Sequence, residues 1–560
     1  MTFKKLVGTI ALASVSSLVV APATAIAQSA AMEASDLKAE ADAIVTAAYP
    51  AEEPGAAVII TRGGRVVYAA GRGLADVDTR APITPDTVFR LGSIVKQFTA
   101  ATILKLVEEG RVSLDDPVSR FFPDWPQPGA GATVRQVLNH TSGIQDFTKI
   151  PGWIAKNRTR PFTTAEMLAV FRDLPARAQP GHAWEYNNGG YVLLGAIIEK
   201  VTGQAWHEAL AERITKPLSL RTIVHPLPGA QGPASARGYT RHDGRVRPVP
   251  PSHMSVAHAA GGLTGSVGDM ARFADALHRG RLVSPALYRE MTRPAPLAGG
   301  KAETYGFGLR LREIRGRKAL VHGGAGAGLD TDSVYIPSED LFVAVFTNSD
   351  EPATDPSLLT RRLAALALGE PIPSFTRANI KQSTIAPLFG AYAADRGPPR
   401  LFFERDGKLF MARGEAEREA FAAGEDRFFF GPGELDWFAI ARRPDGTHVM
   451  EMHGPELAAP IRATRSGPVP PPFTVPPQVL QTYAVTYKTE TVEVAITVSD
   501  NGGLTLTPAG QKSMPMRPVS ATEFMVDEAR SRVIFHSENG KVNRLSVRRG
   551  ARELHGHRIR

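Results

Sequence analysis

The chain has 560 residues, 43% of them hydrophobic, which exceeds one ordinary domain and is enough to bury a sizeable core. It contains no cysteine, which excludes disulfides, a thiolate nucleophile and thiolate-bound metal. The formal charge of +9 is spread along the sequence without a long Lys/Arg block, so nucleic acid is not an expected partner, although a basic surface suits anionic polymers or headgroups.

At the amino end, Lys4 and Lys5 precede an apolar run from Leu6 to Val20, and Ala25-Ile26-Ala27 before Gln28 matches a small-x-small cleavage site. Residues 1–27 therefore read as a signal peptide, with an uncleaved anchor as the alternative. The run is short for a membrane span, so no stable span is expected after cleavage. Losing Lys4 and Lys5 would lower the formal charge from +9 to +7. The expected setting is periplasmic or secreted.

Ala57–Thr61 and Arg65–Ala69, joined by Gly63-Gly64, predict an early hairpin. Phe89-Arg90-Leu91-Gly92 then leads into Ser93-Ile94-Val95-Lys96, and helically spaced apolar residues follow from Phe98 to Val107. Ser93 should open a helix, with Lys96 one turn on along the same face and free backbone N–H groups beside its hydroxyl. An isolated match of this kind is usually a capping serine and a surface lysine, and Ser35-Asp36-Leu37-Lys38 has the same spelling. Context and order separate the two.

Two later segments complete a pattern. Tyr186-Asn187-Asn188 sits in the turn-rich stretch 180–190 ahead of the apolar run 191–198, where loop side chains can point into a cleft. A phenol is a poor base at its free pKa of about 10, and a nearby Lys96 ammonium would lower that value. His322-Gly323-Gly324 follows an apolar run, and the glycines from 323 to 328 admit close backbone approach by a ligand. With 332–337 and 341–346 as neighbouring antiparallel strands, it reads as a substrate edge strand. His242-Asp243-Gly244 and His278-Arg279-Gly280 share the His-x-Gly spelling without these neighbours. An activated serine, a base and oxyanion donors are what acyl transfer needs.

With these motifs in this order, the chain resembles the penicillin-recognising serine hydrolases, in the branch that holds class C beta-lactamases, D-stereospecific peptidases and related esterases, over roughly residues 45 to 365. His140-Thr141-Ser142-Gly143 and the glycine-rich 260–270 resemble flanking structural segments of that family. The resemblance implies that Ser93 attacks the carbonyl, that Lys96 and Tyr186 shuttle its proton, and that Asn188 holds the substrate amide. It also implies an oxyanion hole made of the Ser93 and Ala325 amides, beside His322 and Gly324. Which of Lys96 and Tyr186 is the operative base stays open, since the two would titrate as a coupled pair. The implied fold is α+β, an antiparallel sheet flanked by helices with an all-helical insertion, over residues 28–370.

One departure from the family pattern is informative. Histidine stands at 322 where beta-lactamases and many transpeptidases carry lysine, and with a reference pKa near ~6.5 it is mostly neutral at pH 7. Weaker carboxylate anchoring is expected, which favours small peptides, amino-acid amides or esters, and cell-wall peptides among them, over efficient beta-lactam hydrolysis. The reading is a D-stereospecific peptidase or aminopeptidase-like activity. A carboxylesterase, or a weak beta-lactamase or DD-carboxypeptidase, is the alternative, and a penicillin-binding sensor that fails to deacylate is the alternative from another class. No cofactor is expected, and no metal, since the histidines are scattered and no His-Glu-x-x-His occurs.

After about residue 370 helical periodicity largely stops. Gly369–Ser374 reads as one linker and the proline-rich 466–472 as a stiffer one. Asp406-Gly407 and Asp445-Gly446 in the first following segment, and Asn501-Gly502 and Asn539-Gly540 in the second, are hairpin signals between alternating apolar residues. Residues 383–465 and 478–560 are therefore predicted to be two small antiparallel barrels and weak repeats of each other. The layout resembles D-aminopeptidases of the same family, where a barrel loop reaches the active site; 397–400 and 413–418 are the candidate loops.

Overall fold

The computed structural model describes residues 34–226, 235–250, 252–414, 416–471, 473–499, 502–526, 529, 531–538, 540–549 and 552–559. The signal peptide expected at 1–27 lies outside them. Among the described residues no helix is long and apolar enough to cross a membrane. The chain falls into two compact units, one comprising residues up to 380 with 420–440 and 451–462, the other 381–419, 441–450 and the residues from 463 on.

The first unit is built on six antiparallel strands, β1 (Ala56–Arg62), β2 (Arg65–Arg72), β3 (Arg310–Ile314), β4 (Arg317–Gly326), β5 (Leu329–Ile336) and β6 (Leu341–Thr347), in the order β3-β4-β5-β6-β1-β2. The early hairpin thus joins the late strands through β1 and β6, with Ala56 opposite Thr347 and Arg62 opposite Leu341. Six helices matter to the site: α1 (Ala34–Ala48), α2 (Val95–Glu108), α3 (Asn188–Thr202), α4 (Met254–Gly261), α5 (Val267–His278) and α6 (Pro356–Ala367).

Strand alternation sorts the core into two layers. Ala56, Val58 and Ile60, with Leu341, Val343 and Val345, pack with residues of α1 and α6, among them Val45 and Leu363. Ala57 and Ile59, with Phe342, Ala344 and Phe346, pack with residues of α2, α3 and α5, among them Phe98, Leu193 and Phe273. Because both faces are covered, β6 is buried at every position and reads as a continuous apolar run.

Helix α2 is buried without interruption from Val95 to Leu104 and packs against α3 and α4. Its burial on every side over this stretch is what fixes the serine at its start. That serine lies in a 3-10 turn, Gly92–Ile94, which runs straight into α2, so the expected helix opens two residues after Ser93. The insertion expected to be all-helical is mainly helical, but among the described residues it also carries two short hairpins, Tyr239–His242 with Arg245–Pro248 and Ala295–Pro296 with Ala302–Glu303, and a strand, Thr264–Gly265, that pairs with Phe89–Arg90. The Asp243-Gly244 turn of the first hairpin takes positive φ at both positions, as a tight two-residue turn requires. This accounts for one of the two His-x-Gly decoys.

Beyond residue 389 the strand ladder closes into two eight-stranded antiparallel barrels, the first from Gly390–Ala393 to Ile461–Gly467 and the second from Thr486–Thr489 to Arg552–Arg558. In both, each strand pairs with the next and the last with the first. A short helix, Pro477–Tyr483, precedes the second and contributes Leu480 and Tyr483 to its core.

The stacking of Phe98 on Phe273, with ring centroids 3.7 Å apart, ties α2 to α5. Phe98→Ala should lower the stability of the first unit by ~3–5 kcal/mol, read as a shift of its denaturant midpoint, because the enclosed site cannot collapse around the cavity.

Candidate active site

Lys96 is wholly buried and its ammonium has no carboxylate against it; its three neighbours are Ser93 Oγ at 3.1 Å, Asn188 Oδ1 at 2.9 Å and the Ala260 carbonyl at 2.8 Å. The last two can only accept, so they hold two N–H groups and leave the third tetrahedral position of Nζ facing Ser93. In the ammonium that position is an N–H; in the amine it is a lone pair that can take the serine proton. Burial lowers the Lys96 pKa to about 7, with Arg310 adding to the depression and the Asp146 carboxylate opposing it.

Asn187 caps α3 by accepting from Gly190 N–H at 2.8 Å, which places Asn188 in the first turn. Asn188 N–H donates to Asp146 Oδ2 at 3.1 Å and its Nδ2 to Thr148 Oγ1 at 3.2 Å, so its Oδ1 is turned toward Lys96. Asp146 is itself buried and also accepts from Thr148 N–H at 2.9 Å. Neither Asp146 nor Thr148 was visible in the sequence, because their role appears only when a loop folds beneath Asn188.

The Tyr186 hydroxyl is buried near Ser93 without an aligned hydrogen bond, and the Lys96 nitrogen lies 4.8 Å from its ring centre. The expectation that Lys96 would favour the phenolate fails here. Desolvation outweighs the Ser93 contact and raises the Tyr186 pKa, while the same burial lowers that of Lys96. Burial thus holds Tyr186 as the phenol and moves Lys96 toward the amine. The ring is held by His140, with centroids 4.6 Å apart, and His140 Nδ1 accepts from the Asn187 N–H at 3.2 Å. The His-Thr-Ser-Gly turn thus acts as a support for the tyrosine loop.

Strand β4 brings the third motif. Residues 317–321 pair with β3, but 322–326 run past its end, so only this part of β4 is an edge; the rest is interior to the sheet. A β-carbon at Gly324 would lie 2.1 Å from the Leu91 carbonyl oxygen and 2.8 Å from Ser93 N, so only glycine lets the strand rest on the nucleophile turn. Thr331, opposite Gly324, fastens the contact by donating to the Leu91 oxygen at 3.0 Å. Ala325 is exposed on the cavity wall.

His322 is buried, and its ring is committed on both sides. Nδ1 lies 2.7 Å from the Gly323 carbonyl, which can only accept, so Nδ1 carries the proton and Nε2 accepts from Tyr305 O–H at 2.9 Å. Burial and the Lys96 charge lower its pKa to about 3. It is neutral, as its residue type suggested, and it has no nitrogen left for a ligand.

A cavity of about 680 Å³ is lined by Ser93, Tyr186, Asn188, His322, Gly324 and Ala325, with Lys96 behind Ser93, so every site residue expected from the sequence converges here. The sequence reading missed Arg310, at the start of β3. This half-buried guanidinium lines the same cavity and lies 5.6–5.7 Å from the ring centres of Trp184, Tyr186 and Tyr305. Among the described residues no carboxylate pairs with it. The cation absent from position 322 is thus supplied from the neighbouring strand. Asp330 and Asp332, both raised to about 7 chiefly by burial, line another part of the cavity. Among the described residues no group of side chains could hold a metal ion.

The chain is 29% identical over 351 residues to a D-aminopeptidase of Gluconobacter oxydans, a match covering 60% of this chain and 63% of the relative. It is 25% identical over 401 residues to penicillin-binding protein 4* of Bacillus subtilis, covering 66% of this chain and 87% of that one. Among solved structures, the octameric penicillin-binding protein homologue from Pyrococcus abyssi aligns with 78% of this chain and all of its own, at 26% identity and a TM-score of 0.54. The family model named Beta-lactamase matches residues 43–368, more than half the chain, and the protein belongs to that family.

Proposed function

We propose that the protein is a serine hydrolase that cleaves amide bonds of small amino-acid or peptide substrates through an acyl-enzyme on Ser93. The observation that carries this is the buried, carboxylate-free Lys96 at 3.1 Å from the Ser93 hydroxyl. Neutral Lys96 takes the serine proton as Oγ attacks the carbonyl, with the Ser93 and Ala325 amides as the oxyanion donors. The Tyr186 phenol, protonated in this environment, gives its proton to the leaving amine and recovers one from the Lys96 ammonium. Water then attacks the ester, returning the serine proton and releasing the acid.

The D-aminopeptidase relative supports a D-amino-acid preference, and the acidic part of the cavity suits a substrate amine. The leader-like residues 1–27 support a periplasmic or secreted setting, in which short cell-wall peptides are natural substrates.

Ser93→Ala should abolish fluorophosphonate labelling and lower kcat/KM on a panel of D- and L-aminoacyl amides at least about 10³-fold. Stable labelling of the wild type without turnover on amides or esters would instead identify a sensor. The pH profile of kcat/KM should rise through about 7, since only the deprotonated amine accepts the serine proton. Lys96→Arg, which cannot deprotonate in this range, should remove that rise together with the activity.

Arg310 should select for a substrate carboxylate. A charge-assisted hydrogen bond contributes ~1.5–3 kcal/mol, so Arg310→Gln should cost about tenfold or more in kcat/KM for a D-alanyl dipeptide with a free carboxylate. The cost for D-alaninamide, measured alongside, should be much smaller.

A further inference from the structure

Asn188 is held from behind by a closed ring of hydrogen bonds. Asp146 Oδ1 accepts from the Thr148 N–H and from its hydroxyl, both at 2.9 Å, and Oδ2 accepts from the Asn188 N–H at 3.1 Å. The Thr148 hydroxyl, its hydrogen spent on Asp146, accepts in turn from Asn188 Nδ2 at 3.2 Å, and Nδ2 also faces Asp146 Oδ2 at 3.4 Å. Asp146 is the acceptor in each of its contacts, and it is 2% exposed, so they are not shared with bulk water.

This ring decides which way the Asn188 amide points. Turned over, the amide would set its oxygen against the Asp146 carboxylate and its NH2 against the Lys96 ammonium, acceptor on acceptor and donor on donor. In the orientation present, Oδ1 accepts from Lys96 Nζ at 2.9 Å. The carboxylate thus stands one side chain behind the ammonium.

The other groups around Lys96 bring no negative charge. Tyr186 and Tyr191 present their rings 4.8 and 5.4 Å from Nζ, His140 and His322 are buried and neutral, and Arg310 on β3 is a second cation. Lys149, three residues beyond Asp146, pairs with Glu185 at 2.6 Å and donates to the Tyr186 carbonyl at 3.0 Å. Asp330, Asp332 and Asp355 line other parts of the cavity. Among the described residues, Asp146 is the carboxylate whose charge opposes the effect of burial on Lys96, and the same charge adds to the burial that keeps Tyr186 protonated.

We propose that Asp146 is the positioning residue of the base: through Asn188 it presents both a fixed acceptor and a negative charge to the Lys96 ammonium. Its catalytic consequence rests on the reading of Lys96 as the base. The test is an NMR titration of the full-length protein labelled at the lysine Cε, with the Lys96 signal assigned by its loss in Lys96→Arg, beside the pH profile of kcat/KM for D-alaninamide. Asp146→Asn and Asp146→Ser both remove the charge while keeping an acceptor for the Thr148 N–H at the start of the turn Phe147–Lys149. In each, the Lys96 titration should move to lower pH by about half a unit or more, because an ammonium that loses a neighbouring negative charge releases its proton more readily. The rise in kcat/KM should move with it. Thr148→Val breaks the ring but keeps the charge, so it should lower kcat/KM while displacing the midpoint less than either Asp146 variant. Melting temperatures report whether each variant is folded. An unmoved Lys96 titration in a folded Asp146 variant, or an equal displacement in Thr148→Val, would overturn the proposal. A titration that moves while the rise in kcat/KM stays would uphold the action of Asp146 on Lys96 and overturn the reading of Lys96 as the base.

Discussion

Desolvation of one ammonium group governs the chemistry of this molecule. Lys96 lies on the buried stretch of α2 and is itself wholly buried, and its surroundings offer acceptors but no formal negative charge in contact. In bulk water a lysine holds its proton too tightly to serve as a base near neutrality. In the interior, hydration is replaced by two fixed acceptors, and the balance moves toward the amine that the proposed proton transfer from the serine needs. The same absence of water acts in the opposite direction on Tyr186. Burial is thus the largest cause of both shifts, lowering the amine and raising the phenol.

That assignment also shows what sequence could and could not reveal. Ser93, Lys96, Tyr186, Asn188 and His322 were legible because each stands in a short motif beside a recognisable helix start or glycine run. The hairpin at 56–72, the strands after 329 and the two barrels were legible from alternation and turn residues. The direction of the Tyr186 shift was not, because burial is a property of the assembled site and only the Lys96 charge was visible beforehand. Arg310 was not legible either. An arginine at a strand start normally reads as a solvated side chain, and only the convergence of Trp184, Tyr186 and Tyr305 around it reveals a cavity wall. Asp146 and Thr331 act through a loop and a strand far from the residues they hold, and nothing local marks them.

His322 illustrates how a motif letter can mislead about role. Its position beside the cavity suggests a ligand, but both ring nitrogens are spoken for, one by its own chain and one by Tyr305. A neutral imidazole fixed by two hydrogen bonds there shapes the wall and keeps charge off the part of β4 that lines the cavity. The charge reaches the cavity from β3 instead, on a side chain cradled by aromatic rings.

The pairing of β1 with β6 carries a consequence for how the molecule comes into being. The strand at 56–62 has no partner on its open side until 341–347 has been made, and the glycine contact that seats the nucleophile turn needs residue 324 as well. Closing such a long span of chain is slow, and it comes late in synthesis. A polypeptide that ends before those residues therefore carries the serine and the lysine without the strand that seats them.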